Sequence, residues 1–148
     1  MMQKQATFFL LDENTGNKST TDLLLFCACK QAAMAYRQQQ KVFIFTQDQA
    51  QAHAVDELLW AFDADSFVPH NLMGEGPNYG SPVEISWQAP TNRRALLINL
   101  TNDVPSFAQQ FNQVIDFVPA DEALKQQARQ RYRTYQQSGF TAKMHGTK

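Results

Sequence analysis

His70 and Glu75 share one glycine- and proline-rich stretch, SFVPHNLMGEGPNYGSPVEISW, residues 66–87. An imidazole and a carboxylate on one loop are the raw material of general acid–base catalysis. Catalysis also needs partners, and the chain has neither a G-x-S-x-G nucleophile elbow nor an H-E-x-x-H pair. The other histidines, His53 and His145, lie in unrelated settings. His70 therefore reads as a loop residue that hydrogen-bonds backbone and fixes a turn, and no catalytic residues are assigned. A second candidate, TGNKST (15–20), lies where an α/β fold would bind a phosphate at a helix N-terminus. It fails as a P-loop, because Asn17 separates Gly16 from Lys18 and no glycine precedes Gly16. A nucleotide-binding α/β enzyme thus remains the alternative reading, on fold analogy alone. Cys27 and Cys29 stand two apart in a helical pattern, so they point to different faces and read as buried thiols in a reducing compartment. Three scattered histidines and these cysteines make no zinc site, and no metal or cofactor is expected.

Two surfaces carry more promise. Trp60, Phe62, Phe67, Val68 and Pro69 gather at the end of one helical stretch and the start of the long loop. Phe62 fits a buried stripe, whereas Trp60 lies off it. Exposed aromatics on a proline-braced loop are common anchors of protein interfaces, although a loop can also fold back and bury them. In DEALKQQARQRYRTYQQSGF, Lys125, Arg129, Tyr132 and Arg133 fall at i, i+4, i+7 and i+8, one basic, aromatic-bearing face. Leu124, Ala128 and Tyr135 lie mostly on another side and can pack inward. Cations late in a helix also suit its dipole, and a charge run is usually a solvated face. Beside the apolar DFVP segment, the same stripe describes a pocket for an acidic peptide with an apolar end.

The elements that must position these residues follow from periodicity. ATFFLL (6–11) and KVFIFT (41–46) read as buried strands. Between them STTDLLLFCACKQAAMAYRQQQ reads as a helix, with Ser19 and Asp22 at capping-box spacing and Leu25, Ala28, Cys29, Ala32 and Tyr36 on one side. A second helix starts near Asp48, with Ala52, Val55, Leu59 and Phe62 inward. Residues 63–82 read as a long connection. PVEISW (82–87) alternates as a half-buried strand does, and RALLINL (94–100) reads as a more deeply buried one. Asp103 and Pro105 predict a further helix carrying Phe107, Phe111 and Val114, overlapped by a short strand at VIDFV (114–118). The last helix is expected over roughly 121–137, ending near Gly139. The alternation of strand and helix predicts a parallel sheet wound with helices.

At 148 residues the chain suits one domain, 1–148, with a polar tail at 141–148 expected to fray. It holds no apolar run of membrane-spanning length and no cleavable leader, so a cytoplasmic location is expected. Charge is uneven. Residues 1–92 carry five Lys or Arg against ten Asp or Glu, and residues 93–148 carry eight against four. Such a chain lacks the basic footprint of a stand-alone nucleic-acid-binding module, although its C-terminal part can attract an acidic partner.

Four blocks go further. ATFFLLD, ELLWAFDADSFVPHNLMGEGP, PVEISW and VIDFVPADEALKQQARQRYRTYQQSGF resemble, in order and spacing, the chi subunit of the bacterial DNA polymerase III holoenzyme over about residues 6–140. The resemblance implies a three-layer α/β fold, a mostly parallel sheet flanked by helices, similar to mononucleotide-binding (Rossmann-like) proteins. It implies a non-catalytic adaptor within DNA replication. One surface would bind the psi subunit, which joins chi to the clamp loader, and would carry Trp60, Phe67, Val68 and Pro69. Some family members are held to pair with a repair helicase at that psi-type surface. A separate surface would bind the acidic C-terminal tail of single-stranded DNA-binding protein, which ends in aspartates, a proline and a phenylalanine. Carried onto this chain, that surface comprises Val118, Lys125, Arg129, Tyr132 and Arg133, with Gly139 and Phe140 near its edge. At the position of Arg133 one family member carries lysine, a difference that keeps the charge and changes its geometry.

Overall fold

The computed structural model describes residues 4–11, 20–61, 69–73, 81–90 and 94–146. In chain order these form β1 (Gln5–Leu10), α1 (Thr20–Arg37), β2 (Val42–Phe45), α2 (Gln49–Ala61), β3 (His70–Leu72), β4 (Val83–Ser86) and β5 (Leu96–Asn99). A one-turn 3₁₀ helix (Ala108–Gln110) leads into β6 (Gln113–Val118), α3 (Glu122–Gln137) and β7 (Thr141–Gly146). The seven strands form one sheet in the order β3-β4-β2-β5-β6-β1-β7. Every neighbouring pair is parallel. The parallel α/β architecture expected from the rhythm of the sequence is thus observed.

Helices cover both faces, so consecutive strand residues feed opposite cores and the central strands read as continuous apolar runs. Val42, Ile44, Leu96 and Ile98 join Leu25, Ala28, Cys29 and Ala32 of α1 and Ala52, Val55 and Leu59 of α2. Phe43, Leu97, Ala6 and Phe8 face the other way, onto Ala128 and Tyr135 of α3 and onto Phe107, Ala108 and Phe111. The N-terminus of α2 is closed by Asp48, whose Oδ1 accepts from Gln51 N at 2.8 Å. The proposed cap of α1 at Ser19 and Asp22, the loop TGNK and Phe62 lie outside the described residues and side chains.

Four sequence expectations are corrected. The helix expected after Asp103 is only the single 3₁₀ turn, because Val114 is claimed by β6, where it registers with Ala6 of β1. The long connection over 63–82 contains β3, which pairs with β4. PVEISW is buried through Val83, Glu84, Ile85 and Ser86 rather than half-buried. Glu84 tolerates this because Arg94, itself buried, brings Nη2 within 3.6 Å of its Oε2. The tail does not fray through 141–146: these residues are β7, paired along β1 from Gln5↔Thr141 to Leu10↔Gly146.

Candidate functional site

Local signals fix α3 at both ends. Asp121 accepts from Leu124 N through Oδ2 at 3.0 Å, and Glu122 sits in the first turn, where the helix dipole favours an acid. At the other end Gly139 takes φ +95°, and Phe140 N donates to Tyr135 O at 2.9 Å. That reversal sends the chain back as β7.

The helix presents two stripes. Ala128, Arg131 and Tyr135 are buried against the sheet. The adjoining stripe, Lys125, Arg129, Tyr132 and Arg133, walls a cleft of about 400 Å³. Val118 of β6, Phe8 and Leu10 of β1, Met144 of β7 and Ala128 make up its apolar remainder. Five of the residues assigned to the peptide surface therefore meet around one cavity: Val118, Lys125, Arg129, Tyr132 and Arg133. Gly139 and Phe140 do not line it. Phe140 is only 4% exposed, edge-on to Tyr135 at 5.5 Å, with Lys4 Nζ 5.6 Å from its ring. Sequence reasoning missed Phe8 and Leu10, which come from a strand far from α3 in the chain, and Met144, which follows α3 in a segment expected to fray. Leu10 and Met144 are 43% and 47% exposed, large apolar side chains left partly open to water in the cleft. Tyr132 is held in place by Phe8, ring to ring at 5.2 Å, and by a hydroxyl that donates to Ala142 O at 2.9 Å. An apolar floor under a cationic rim is suited to an acidic ligand with an apolar end.

Away from the cleft's lining, α3 is tied to the sheet by a buried ion pair. Arg131 Nε donates to both oxygens of Asp116, at 3.2 and 3.1 Å, while Nη1 and Nη2 donate to the carbonyls of Asn102 and Phe117 at 3.1 and 3.0 Å. Asn99 Nδ2 and Tyr135 Oη complete the shell around Asp116 Oδ2, both at 3.2 Å. Burial pushes the Asp116 carboxyl above its ordinary value, against the pull of Arg131 and the hydrogen bonds it receives. Burial likewise raises the Tyr135 hydroxyl, helped by the neighbouring Asp116 charge. Arg131 stood among the basic residues of the helix, and its spacing from Ala128 and Tyr135 was the available sign that it faces inward. A smaller groove of about 220 Å³ lies at the carboxyl ends of β2, β5 and β6, where α/β proteins often take ligands. Its Arg131, Asp116, Asn99 and Thr101 are spent on one another and on nearby carbonyls.

The second predicted surface is partly described. Trp60, at the end of α2, is 62% exposed. Its ring stands edge-on to His70 at 4.9 Å, and His70 Nε2 lies 3.3 Å from Asp56 Oδ1. His70 is therefore a buried strand residue that supports an exposed tryptophan, not a loop residue that fixes a turn. Pro69 precedes it, half-buried, and Phe67 and Val68 lie outside the described residues. Among the described residues no group of three His, Cys, Asp or Glu could hold a metal ion, and no helix is long and apolar enough to cross a membrane.

Comparison with known proteins places these features in context. The family profile described as "DNA polymerase III chi subunit, HolC" matches residues 2–143. The protein named DNA polymerase III subunit chi in Escherichia coli strain K12 is 46% identical over 141 residues, covering 93% of this chain and 94% of that relative. Its namesake in Haemophilus influenzae strain Rd is also 46% identical over 141 residues, covering 94% of each. The Pseudomonas aeruginosa PAO1 protein of that name is 36% identical over 119 residues, 80% of this chain and 82% of its own.

Proposed function

Given that the chain belongs to the DNA polymerase III chi subunit family, an accessory component of replication, we propose that it is a non-catalytic adaptor with two protein-binding surfaces. One surface takes the acidic C-terminal tail of single-stranded DNA-binding protein, and the other takes the psi subunit and through it the clamp loader. The replicase is thereby linked to coated lagging-strand template without direct affinity of this subunit for bare DNA. The observation that carries the reading is the 400 Å³ cleft, in which Lys125, Arg129 and Arg133 stand over Phe8, Leu10, Val118 and Met144. Carboxylates of the tail would meet the cations, and its terminal phenylalanine would fill the apolar floor. The exposed Trp60, braced by His70, supports the psi surface, to which we also assign Phe67, Val68 and Pro69.

The test is calorimetric titration with a synthetic tail peptide and with the same peptide lacking its terminal phenylalanine. Binding of the first alone, at about micromolar affinity, near −8 kcal/mol, and weakened by added salt, is the expected result. Binding of neither peptide overturns the tail assignment. Arg129→Ala should abolish most tail binding and leave psi binding intact, whereas Phe67→Ala should weaken psi and spare the tail. Equal loss of both activities in either variant would mean misfolding rather than a mapped surface.

A further inference from the structure

We propose that the acidic peptide docks by strand addition, extending the sheet along the outer edge of β7 while its side chains enter the cleft. The inference rests on the adaptor reading and specifies how that site is used. β7 is the last strand of the sheet, with β1 on one side and, among the described residues, no strand on the other. Thr141 N donates to Lys4 O at 2.8 Å, so its amide points at β1. Backbone direction alternates along a strand; Lys143 and His145 therefore also face β1, and Ala142 and Met144 turn their N–H and C=O groups outward. Tyr132 Oη caps one of these groups, the Ala142 carbonyl, at 2.9 Å. The Met144 amide and carbonyl offer a ladder to an incoming chain.

Register joins this edge to the cleft. Met144 pairs with Phe8, and both line the cavity from the α3 side. A strand laid about 4.8 Å beyond β7 sets every second side chain beside Met144, above the apolar floor. Its other side chains point to the opposite face, where Lys143 stands exposed next to His145, whose ring packs on Phe9. Cations consequently await both faces of the added strand: Arg129 and Arg133 on the helix side, Lys143 on the other. An extended acidic segment, whose carboxylates alternate between faces, matches that arrangement. A helical or neutral one does not.

The experiment titrates the full chain with a synthetic peptide of aspartates followed by proline and a C-terminal phenylalanine. Alongside run copies methylated at single backbone nitrogens, one position at a time. Strand addition predicts a periodic result, in which methylation at alternate amides weakens binding roughly tenfold or more and the intervening positions change little. Binding of the parent with no such alternation overturns strand addition and leaves the adaptor reading standing; absence of parent binding overturns both. A pair of variants reads the same bond from the other side. Met144→Ala removes the side chain and keeps the outward N–H, whereas Met144→Pro also removes the N–H, which makes no bond to β1. A proline variant that is folded by circular dichroism yet binds at least tenfold more weakly than the alanine variant supports the ladder. Equal affinities overturn it.

Discussion

Replacing Arg131 with methionine keeps much of the side-chain volume and deletes every donor the guanidinium supplies. Asp116 loses both contacts from Nε, at 3.2 and 3.1 Å, and the buried Phe117 carbonyl loses its partner at 3.0 Å. What remains is a fully buried carboxylate with only neutral donors, a state that costs about 3–5 kcal/mol. Against a total stability of about 5–15 kcal/mol, Arg131→Met should leave a fold that is marginal but measurable. With a urea slope of about 2 kcal/mol per molar, the unfolding midpoint should fall by roughly 2 M. The pH sign follows from the direction of the Asp116 shift. Its folded pKa lies above the unfolded value of 3.8, so its contribution to stability is full below that value and is lost as pH rises through the folded pKa. Without the opposing pull of Arg131 the shift grows, and the variant's deficit should shrink as pH is lowered from neutral. Adding Asp116→Asn removes the stranded charge and should restore a large part of the loss at neutral pH. A single variant that costs under about 1 kcal/mol, or a double variant less stable than Arg131→Met, refutes the reasoning. Because Arg131 fixes the helix that carries Arg129 and Arg133, surviving folded protein should also bind the acidic peptide more weakly.

Three shorter tests concern the rest of the fold. Burial pushes the Cys29 thiol up to about 12 from 9.0, so the stability it contributes is full below pH 9 and drains as pH climbs toward 12. Urea midpoints of wild type should decline through that range more steeply than those of Cys29→Ala, and a thiol reagent at mildly alkaline pH should label the half-buried Cys27 first. Gly139→Ala should cost about 1–2 kcal/mol, since φ is +95° and an added Cβ would meet nothing within 4 Å, leaving backbone strain as the whole effect. A chain ending at Phe140 loses Met144 from the cleft and bares the edge of β1; it should bind acidic peptide at least tenfold more weakly and self-associate at concentrations where the full chain does not.

Elements announced by local chemistry were legible in the sequence. The span expected for the last helix, 121–137, differs by one residue from Glu122–Gln137, because an aspartate cap and a glycine reversal act within a few residues of the ends they fix. Elements decided by distant pairing were not. Phe107, Phe111 and Val114 have helical spacing, yet the two phenylalanines reach one core from either side of a single turn, and Val114 is drawn into β6 by β1. TAKMHG looks like a frayed tail because nothing in its composition reports the ladder it makes with residues at the other end of the chain. Glu84 made its strand look half-exposed, since the arginine that pairs with it lies ten residues further along the chain. The candidate site divides the same way. Its cations lie on one helix at readable intervals, whereas its floor, Val118 apart, is assembled largely from β1 and β7 and becomes visible only when the sheet is closed.

The position of β1 has a consequence for synthesis. Gln5 is registered with Gln113 on one side and Thr141 on the other, so β1 leaves the ribosome well before either of its neighbours in the sheet. At roughly 5–20 residues per second, the phenylalanine-bearing segment waits several seconds unpaired while α1, β2, α2, β4 and β5 can already assemble around their own core. The newborn chain is thus a partial sheet with an unattached apolar strand, the sort of species that chaperones hold. The cleft, lined in part by β1 and β7, forms only once β7 has been made. A chain stalled before β7 would carry α3 and its cations without Met144 in the cleft.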